Sequence, residues 1–201
     1  MKMREMRERL FELVGKTVGK VIPLASRLSG GRTVDVVIDH EIPGVTAEMV
    51  DWWWRNMSDP ERYRLWHPKD HIWAVWETSP EEDPLRPTQL ALEKVGGVPV
   101  LMRLRVMQDP DAILERRTYA HAMGGYSLDG KGRPFGSAVH EYEDGPGGVL
   151  KMRTTFKVPA RAPEIFKRML RKHCREEMSQ LPYFLPRLYA ESACSRQGPA
   201  C

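Results

Sequence analysis

The segment HCREE, residues 173–177, sets a histidine and a glutamate four positions apart. On a helix those side chains share a face and can grip one metal ion together. A solvated surface pair has the same spacing, so the neighbours decide. Met169, Leu170 and Leu181 put the apolar stripe on or beside that face, which turns His173 and Glu177 toward the interior. A buried carboxylate needs a cation beside it. The stretch YRLWHPKDHIW, residues 63–73, offers a second half for such a site. His67 and His71 flank Pro68-Lys69-Asp70, and Asp70 or a neighbouring carbonyl can fix an imidazole in the tautomer a metal requires. The same residues also read as a packed turn, with Trp66 and Trp73 in the core and both histidines bonded to backbone groups. Glu93, in the strand-like LALEKV, is the third candidate. It shares its parity with Ala91 and opposes Leu90 and Leu92, so it either faces a lined cavity or stands as an exposed strand charge.

These residues need elements to hold them. Thr33 to His40 has the β-branched content of a strand, and Pro43-Gly44 reads as a turn. Thr46 is a helix N-cap with Glu48 in the first turn, and Asp59-Pro60-Glu61 opens a second short helix. The middle of the chain is β-rich. His71 to Glu77 alternates, Gln89 to Val95 and Val100 to Val106 flank the Gly96-Gly97 turn as a hairpin, and Ile113 to Met123, Ser137 to Glu143 and Val149 to Val158 are further strands. After Pro163 the period changes, and a long C-terminal helix is predicted from near Glu164 to about Gln180, before Pro182. A curved antiparallel sheet followed by a long helix is an α+β plan in which the helix crosses the concave face and encloses a cavity.

At the other end, Met3, Met6, Leu10, Leu13, Val14, Val18 and Val21 fall three or four apart among Arg and Glu, the pattern of an amphipathic helix. Its mixed charge suits packing on its own domain or on a second subunit better than a membrane surface. SRLSGGRT, residues 26–33, reads as a linker. The expected organisation is therefore an N-terminal helix and linker over 1–32, a globular domain over 33–190 and a tail over 191–201.

The 201 residues suffice for one core, and 41% hydrophobic with 29% charged residues is ordinary for a soluble domain. The net charge of +4 is spread among acidic residues without a basic stripe, so no nucleic-acid partner is expected. Cys174, Cys194 and Cys201 are odd in number and unlike a zinc finger in spacing, which points to a reducing, cytoplasmic setting. No apolar run approaches the roughly 20 residues of a membrane span, and the N-terminus lacks a signal-like apolar stretch.

In combination, EIPGVTAEMVDWWW, RYRLWHPKDHIW and HCREEMSQLPYFLPRLY resemble the 2,4-diacetylphloroglucinol hydrolase family, whose relatives include phloretin hydrolase. The resemblance runs from about Glu41 to Tyr189. It implies a Bet v 1-like helix-grip fold that binds one zinc and hydrolyses the carbon–carbon bond between an acyl group and a phenolic ring. It also implies a ligand set of two histidines and two glutamates, which on this chain becomes His71, Glu93, His173 and Glu177. His71 is chosen over His67 because a substrate-contacting tyrosine of the family precedes its ligand by eight residues, as Tyr63 precedes His71. Glu77 is the alternative to Glu93. The family's asparagine three residues beyond the first histidine is replaced here by Ala74.

Such chemistry suits these residue types. Two carboxylates cancel the formal charge of a divalent zinc, making it a milder acid than one held by three histidines. The ring carbon can leave only once protonated, so a positioned donor is required. Tyr63 is the first choice, with His67, His121 and His140 beside it. Trp52, Trp53 and Trp54 are expected in the core and cavity wall. The expected partner is a small aromatic ketone, and a homo-oligomer is compatible with the N-terminal helix. A different class fits the same cavity: a non-catalytic carrier or sensor of aromatic or polyketide-like ligands.

Overall fold

A computed structural model describes residues 21–107 and 110–197. The amphipathic helix expected over residues 3–22 lies outside this range except for its last two positions, which begin helix α1 (Val21–Leu28). There follow β1 (Thr33–Pro43), α2 (Ala47–Asn56), α3 (Pro60–Trp66), β2 (His71–Thr78), β3 (Thr88–Val95), β4 (Val98–Met107), β5 (His121–Leu128), β6 (Pro134–Asp144), β7 (Val149–Pro159) and α4 (Glu164–Gln197). All seven strands form one antiparallel sheet in the order β1-β7-β6-β5-β4-β3-β2, so the architecture is α+β.

The local signals act as the sequence suggests at the two short helices. The Thr46 hydroxyl accepts the Met49 N–H at 3.3 Å, and the Asp144 carboxylate takes the Ala47 N–H at 2.8 Å, so two free amides of α2 are satisfied. Asp59 accepts from Glu61 and Arg62 at 3.0 Å, and Pro60 fills the first turn of α3. Gly96 and Gly97 have φ of 62° and 83°, the double left-handed turn that matches strand twist in a two-residue hairpin.

Three expectations are corrected. SRLSGGRT is not a free linker. Its first three residues complete α1, Ala25 and Ser29 are buried, and the Ser29 hydroxyl accepts the Arg161 N–H at 3.0 Å, which ties α1 to the end of β7. Residues 113–120 are not strand. A short 3₁₀ turn (Pro110–Ala112) and a loop replace it, and β5 begins only at His121. Buried Glu141 anchors that loop by accepting the backbone N–H groups of Thr118 and Tyr119. Finally, α4 passes straight through Pro182 and Pro186. Each proline removes a backbone donor, at a cost of about 3 kcal/mol. Burial of Leu181, Phe184 and Leu185 on that stretch, at about 1.5–3 kcal/mol per side chain, offsets it.

The core lies between α4 and one face of the sheet. Val36, Ile38 and Ile42 of β1, Leu150 and Met152 of β7, and Trp53 and Trp54 of α2 meet Cys174, Met178, Leu181 and Leu185 of α4. No helix among the described residues is long and apolar enough to cross a membrane.

Candidate metal centre

Two rigid units face each other at one end of this core. On the sheet side, His71 and Glu93 are Cα partners across β2 and β3. A register shift follows at once between His71 and Trp73, so His71 and Ala74 meet the same face as Glu93 and Ala91 despite their odd spacing. On the helix side, His173 and Glu177 are one turn apart on α4. One donor atom from each of the four residues lies within 4.8 Å of the others, and all four side chains are buried. His71 Nε2 is 2.8 Å from Glu177 Oε1 and 3.6 Å from Glu93 Oε1, while His173 Nε2 is 3.3 Å from Glu93 Oε2 and 3.4 Å from Glu177 Oε1. Glu93 is thus not an exposed strand charge. Glu77 instead pairs with Arg103 on the surface at 2.5 Å.

The hydrogen-bond pattern distinguishes the two histidines of the HPKDH turn. His71 Nδ1 donates to the carbonyl of Tyr63 at 3.1 Å, which leaves the Nε2 lone pair directed at the carboxylates. His67 is set the other way. Its Nδ1 accepts the Asp70 N–H at 3.2 Å, so in the neutral ring Nε2 carries the proton. That nitrogen is buried 3.7 Å from Asp70 Oδ2 and 3.5 Å from Glu176 Oε2, without a hydrogen bond to either. His67 stacks on His173, with centroids 4.7 Å apart, and lies outside the four-residue cluster.

Tyr63 serves the cluster three times. Its carbonyl fixes His71, its ring lies flat on that imidazole at 4.2 Å, and its hydroxyl donates to Glu93 Oε1. Trp66 meets the same imidazole edge-on at 5.3 Å. The α3 helix makes this possible by turning Tyr63 and Trp66 to its buried side.

The four buried titratable groups could hold a cation. Burial pushes the Glu93 carboxyl above its ordinary range. Burial would do the same to Glu177, but His173 and His71 outweigh it and hold that carboxyl low. Burial lowers His71. It also opposes a charge on His173, yet Glu177 and Glu93 overcome it and push the imidazole up to about 11. Without an ion, the His173 imidazolium offsets Glu177 while burial favours the neutral form of Glu93, and a divalent cation would let both carboxyls ionise. Moreover, both ring nitrogens of His173 are buried without a hydrogen bond, although Nε2 has carboxylate oxygens at 3.3 and 3.4 Å. Carboxylate oxygens this close to a ring nitrogen, without hydrogen-bond alignment, suit shared coordination of an ion. Two imidazoles and two carboxylates are a donor set that zinc accepts.

The remaining sequence candidates lie elsewhere. His121, at the start of β5, bonds through Nδ1 to Asp51 Oδ2 at 2.9 Å and stacks on Tyr142, whose hydroxyl donates to Asp51 Oδ1 at 2.5 Å. His140 is buried on β6 against Trp54 and Thr154. Neither joins the cluster. Sequence reasoning passed over Asp51, which precedes the three tryptophans, and His40, which continues the inward parity of Val36 and Ile38.

Comparison with known proteins bears on this geometry. A family model, the DAPG hydrolase PhiG domain, matches residues 26–156, a span that holds His71 and Glu93 and ends before α4. Phloretin hydrolase from Eubacterium ramulus is 35% identical over 74 residues, which cover 31% of this chain and 27% of that enzyme. The chain therefore matches about a quarter of that relative's length. Among solved structures, a protein from Arthrobacter aurescens aligns with a TM-score of 0.48 and 15% identity over 75% of this chain and 85% of its own. A Mycobacterium smegmatis protein aligns at 0.45 and 15% over 78% and 93%.

Proposed function

The chain belongs to the DAPG hydrolase PhiG domain family, and from that premise we propose that it is a metal-dependent hydrolase of acylated phenols, cleaving the carbon–carbon bond between the acyl group and the ring. The observation that carries the reading is the convergence of His71, Glu93, His173 and Glu177, two pairs remote in sequence, on one buried point. These four would hold the ion, with zinc favoured by the mixed imidazole and carboxylate donors. A divalent cation there supplies polarisation of a ketone oxygen and a more acidic water.

The chain's own residues supply the rest. Hydrolysis adds water across the bond: the hydroxyl joins the acyl carbon, giving a carboxylic acid, and a proton joins the ring carbon, giving the free phenol. Tyr63 has an O–H at the cluster, already engaged with Glu93, and is the donor for that ring carbon. The proton that water gives up as its hydroxyl joins the acyl carbon restores the tyrosine, so the step balances with Glu93 kept as a carboxylate. Trp66 and the Tyr63 ring hold His71 in plane, so the donor geometry survives turnover. The helix-grip assignment is part of this proposal, and it is supported by the seven-stranded sheet with one long helix across its face.

Metal analysis of protein purified without added zinc, together with an acylphloroglucinol assay for acid release, tests the proposal. One transition metal per chain and acid release, both lost in His173→Ala, are expected. Less than stoichiometric metal, or tight ligand binding with no acid released, would overturn it, and the second result would assign a carrier.

A further inference from the structure

The four-residue cluster engages one ring nitrogen of His173 and leaves the other to be accounted for. His173 Nδ1 is buried without a hydrogen bond, and the Asp70 carboxylate faces it with Oδ2 at 3.7 Å. The same oxygen is 3.7 Å from Nε2 of His67, which is also buried and unbonded. The rings of His67 and His173 lie face to face, with 14° between planes. One carboxylate oxygen thus meets two stacked imidazoles, one from its own turn and one from α4.

His67, Asp70 and His173 bring donor atoms within 4.8 Å of one another, as the metal cluster does, but the hydrogen bonds give this trio a different use. A backbone N–H can only donate. The Asp70 amide at 3.2 Å therefore makes His67 Nδ1 an acceptor and keeps the proton of the neutral ring on Nε2, where a metal would need a lone pair. That N–H has a second acidic neighbour in Glu176, with Oε2 at 3.5 Å. For His173 the constraint comes from the cluster: a neutral ring that gives its Nε2 lone pair to an ion carries its proton on Nδ1. Among the described residues, Asp70 is the acid facing that nitrogen.

We infer that Asp70 is a positioning residue for His173: its carboxylate accepts the Nδ1–H of the imidazole whose Nε2 holds the ion, which fixes the ring and raises the basicity of the ligating nitrogen. This role rests on reading the four-residue cluster as a metal centre. At 3.7 Å the pair is a charge contact, and a proton fixed on Nδ1 is the donor that makes it a charge-assisted hydrogen bond. The HPKDH turn then serves both halves of the site, the sheet half through His71 as ligand and the helix half through Asp70 as support. The main chain of Asp70 holds the turn separately. Its N–H also reaches the His67 carbonyl at 3.1 Å, and its carbonyl accepts the Lys94 N–H at 2.8 Å, bonds that a change of side chain leaves in place.

Zinc affinity of the full-length protein, read by competition with a chromophoric chelator, tests the role. Asp70→Ala should weaken zinc about 10- to 100-fold, the usual effect of removing a ligand's outer partner. Asp70→Asn, which keeps an uncharged acceptor on the same stem, should fall between wild type and Asp70→Ala, and it carries the comparison if the alanine variant fails to fold. In ¹⁵N-edited spectra of the zinc-loaded wild type, His173 should show an Nδ1–H that resists solvent exchange, and the same proton should exchange freely in Asp70→Ala. Equal zinc affinity in wild type and variants, or an Nδ1–H that exchanges as fast in wild type as in Asp70→Ala, would overturn the inference while leaving the metal centre. A wild type that binds no zinc would remove both. Weaker zinc in the variants, with no acid released from an acylphloroglucinol by the wild type, would support the role of Asp70 and remove the hydrolase.

Discussion

The backbone carbonyl of Tyr63 and the imidazole of His71 are joined at 3.1 Å, and the ring of the same tyrosine covers that imidazole at 4.2 Å. One residue thus sets both the tautomer and the plane of a histidine of the candidate metal cluster, while its hydroxyl reaches the neighbouring carboxylate. Tyr63→Phe separates these roles because it keeps the carbonyl and the ring. It should retain the ion and lose acid release by about 100-fold or more, the usual scale for a proton donor. Metal content and turnover measured on one preparation check this, and a variant stripped of metal would assign the hydroxyl a structural role instead.

The opposed hydrogen bonding of the two turn histidines gives a second expectation. His71→Gln should abolish stoichiometric metal. His67→Gln should leave most of it in place, since the His67 Nδ1 is occupied by the Asp70 N–H and the ring lies outside the four-residue cluster. Elemental analysis of the pair decides, and equal loss in both would place His67 among the ligands.

Removal of the ion should cost stability. An ion at 100 times its dissociation constant adds about 2.7 kcal/mol to folding. A chelator should therefore lower the melting temperature by several degrees, readdition of zinc should restore it, and Glu177→Gln should melt at one temperature with or without chelator.

Acid should unfold the protein through the buried imidazoles away from the cluster. His140 has a folded pKa of about 4 against 6.5 for the free ring. Between those values the unfolded chain binds a proton that the folded one refuses, so stability falls as pH drops from about 6.5 to about 4. The full loss for this one group is roughly 3 kcal/mol, and His40 acts in the same direction. Urea denaturation at pH 7 and pH 5 should show the drop, and His140→Phe should reduce it. An unchanged pH slope in that variant would remove the assignment.

Much of this was readable from residue types. The i,i+4 pair of His173 and Glu177, the caps at Thr46 and Asp59, and the Gly96-Gly97 hairpin are local signals, and local physics fixes them. Glu93 was legible as a candidate but not as buried, because β3 is covered on both faces and alternation then carries no information about exposure. α4 runs past its predicted end because proline propensity is local, whereas the apolar contacts that override it, such as Phe184 on Trp53 of α2, come from elements remote in sequence. The contacts among His40, His140, Thr154 and Cys174 were invisible for a related reason. Register pairs His140 with Thr154, but His40 reaches Thr154 diagonally across the sheet and Cys174 arrives from α4.

The donor set is divided evenly between two bodies, the His71/Glu93 rung of the β2–β3 edge and a single turn of α4. An ion held in this way rivets a helix to a sheet margin, so its affinity reports how well those two bodies dock. Loosening α4 at Leu185, two turns beyond Glu177 and wholly buried, would spread the jaws without touching a donor. Metal retention thereby becomes a gauge of packing along the whole helix.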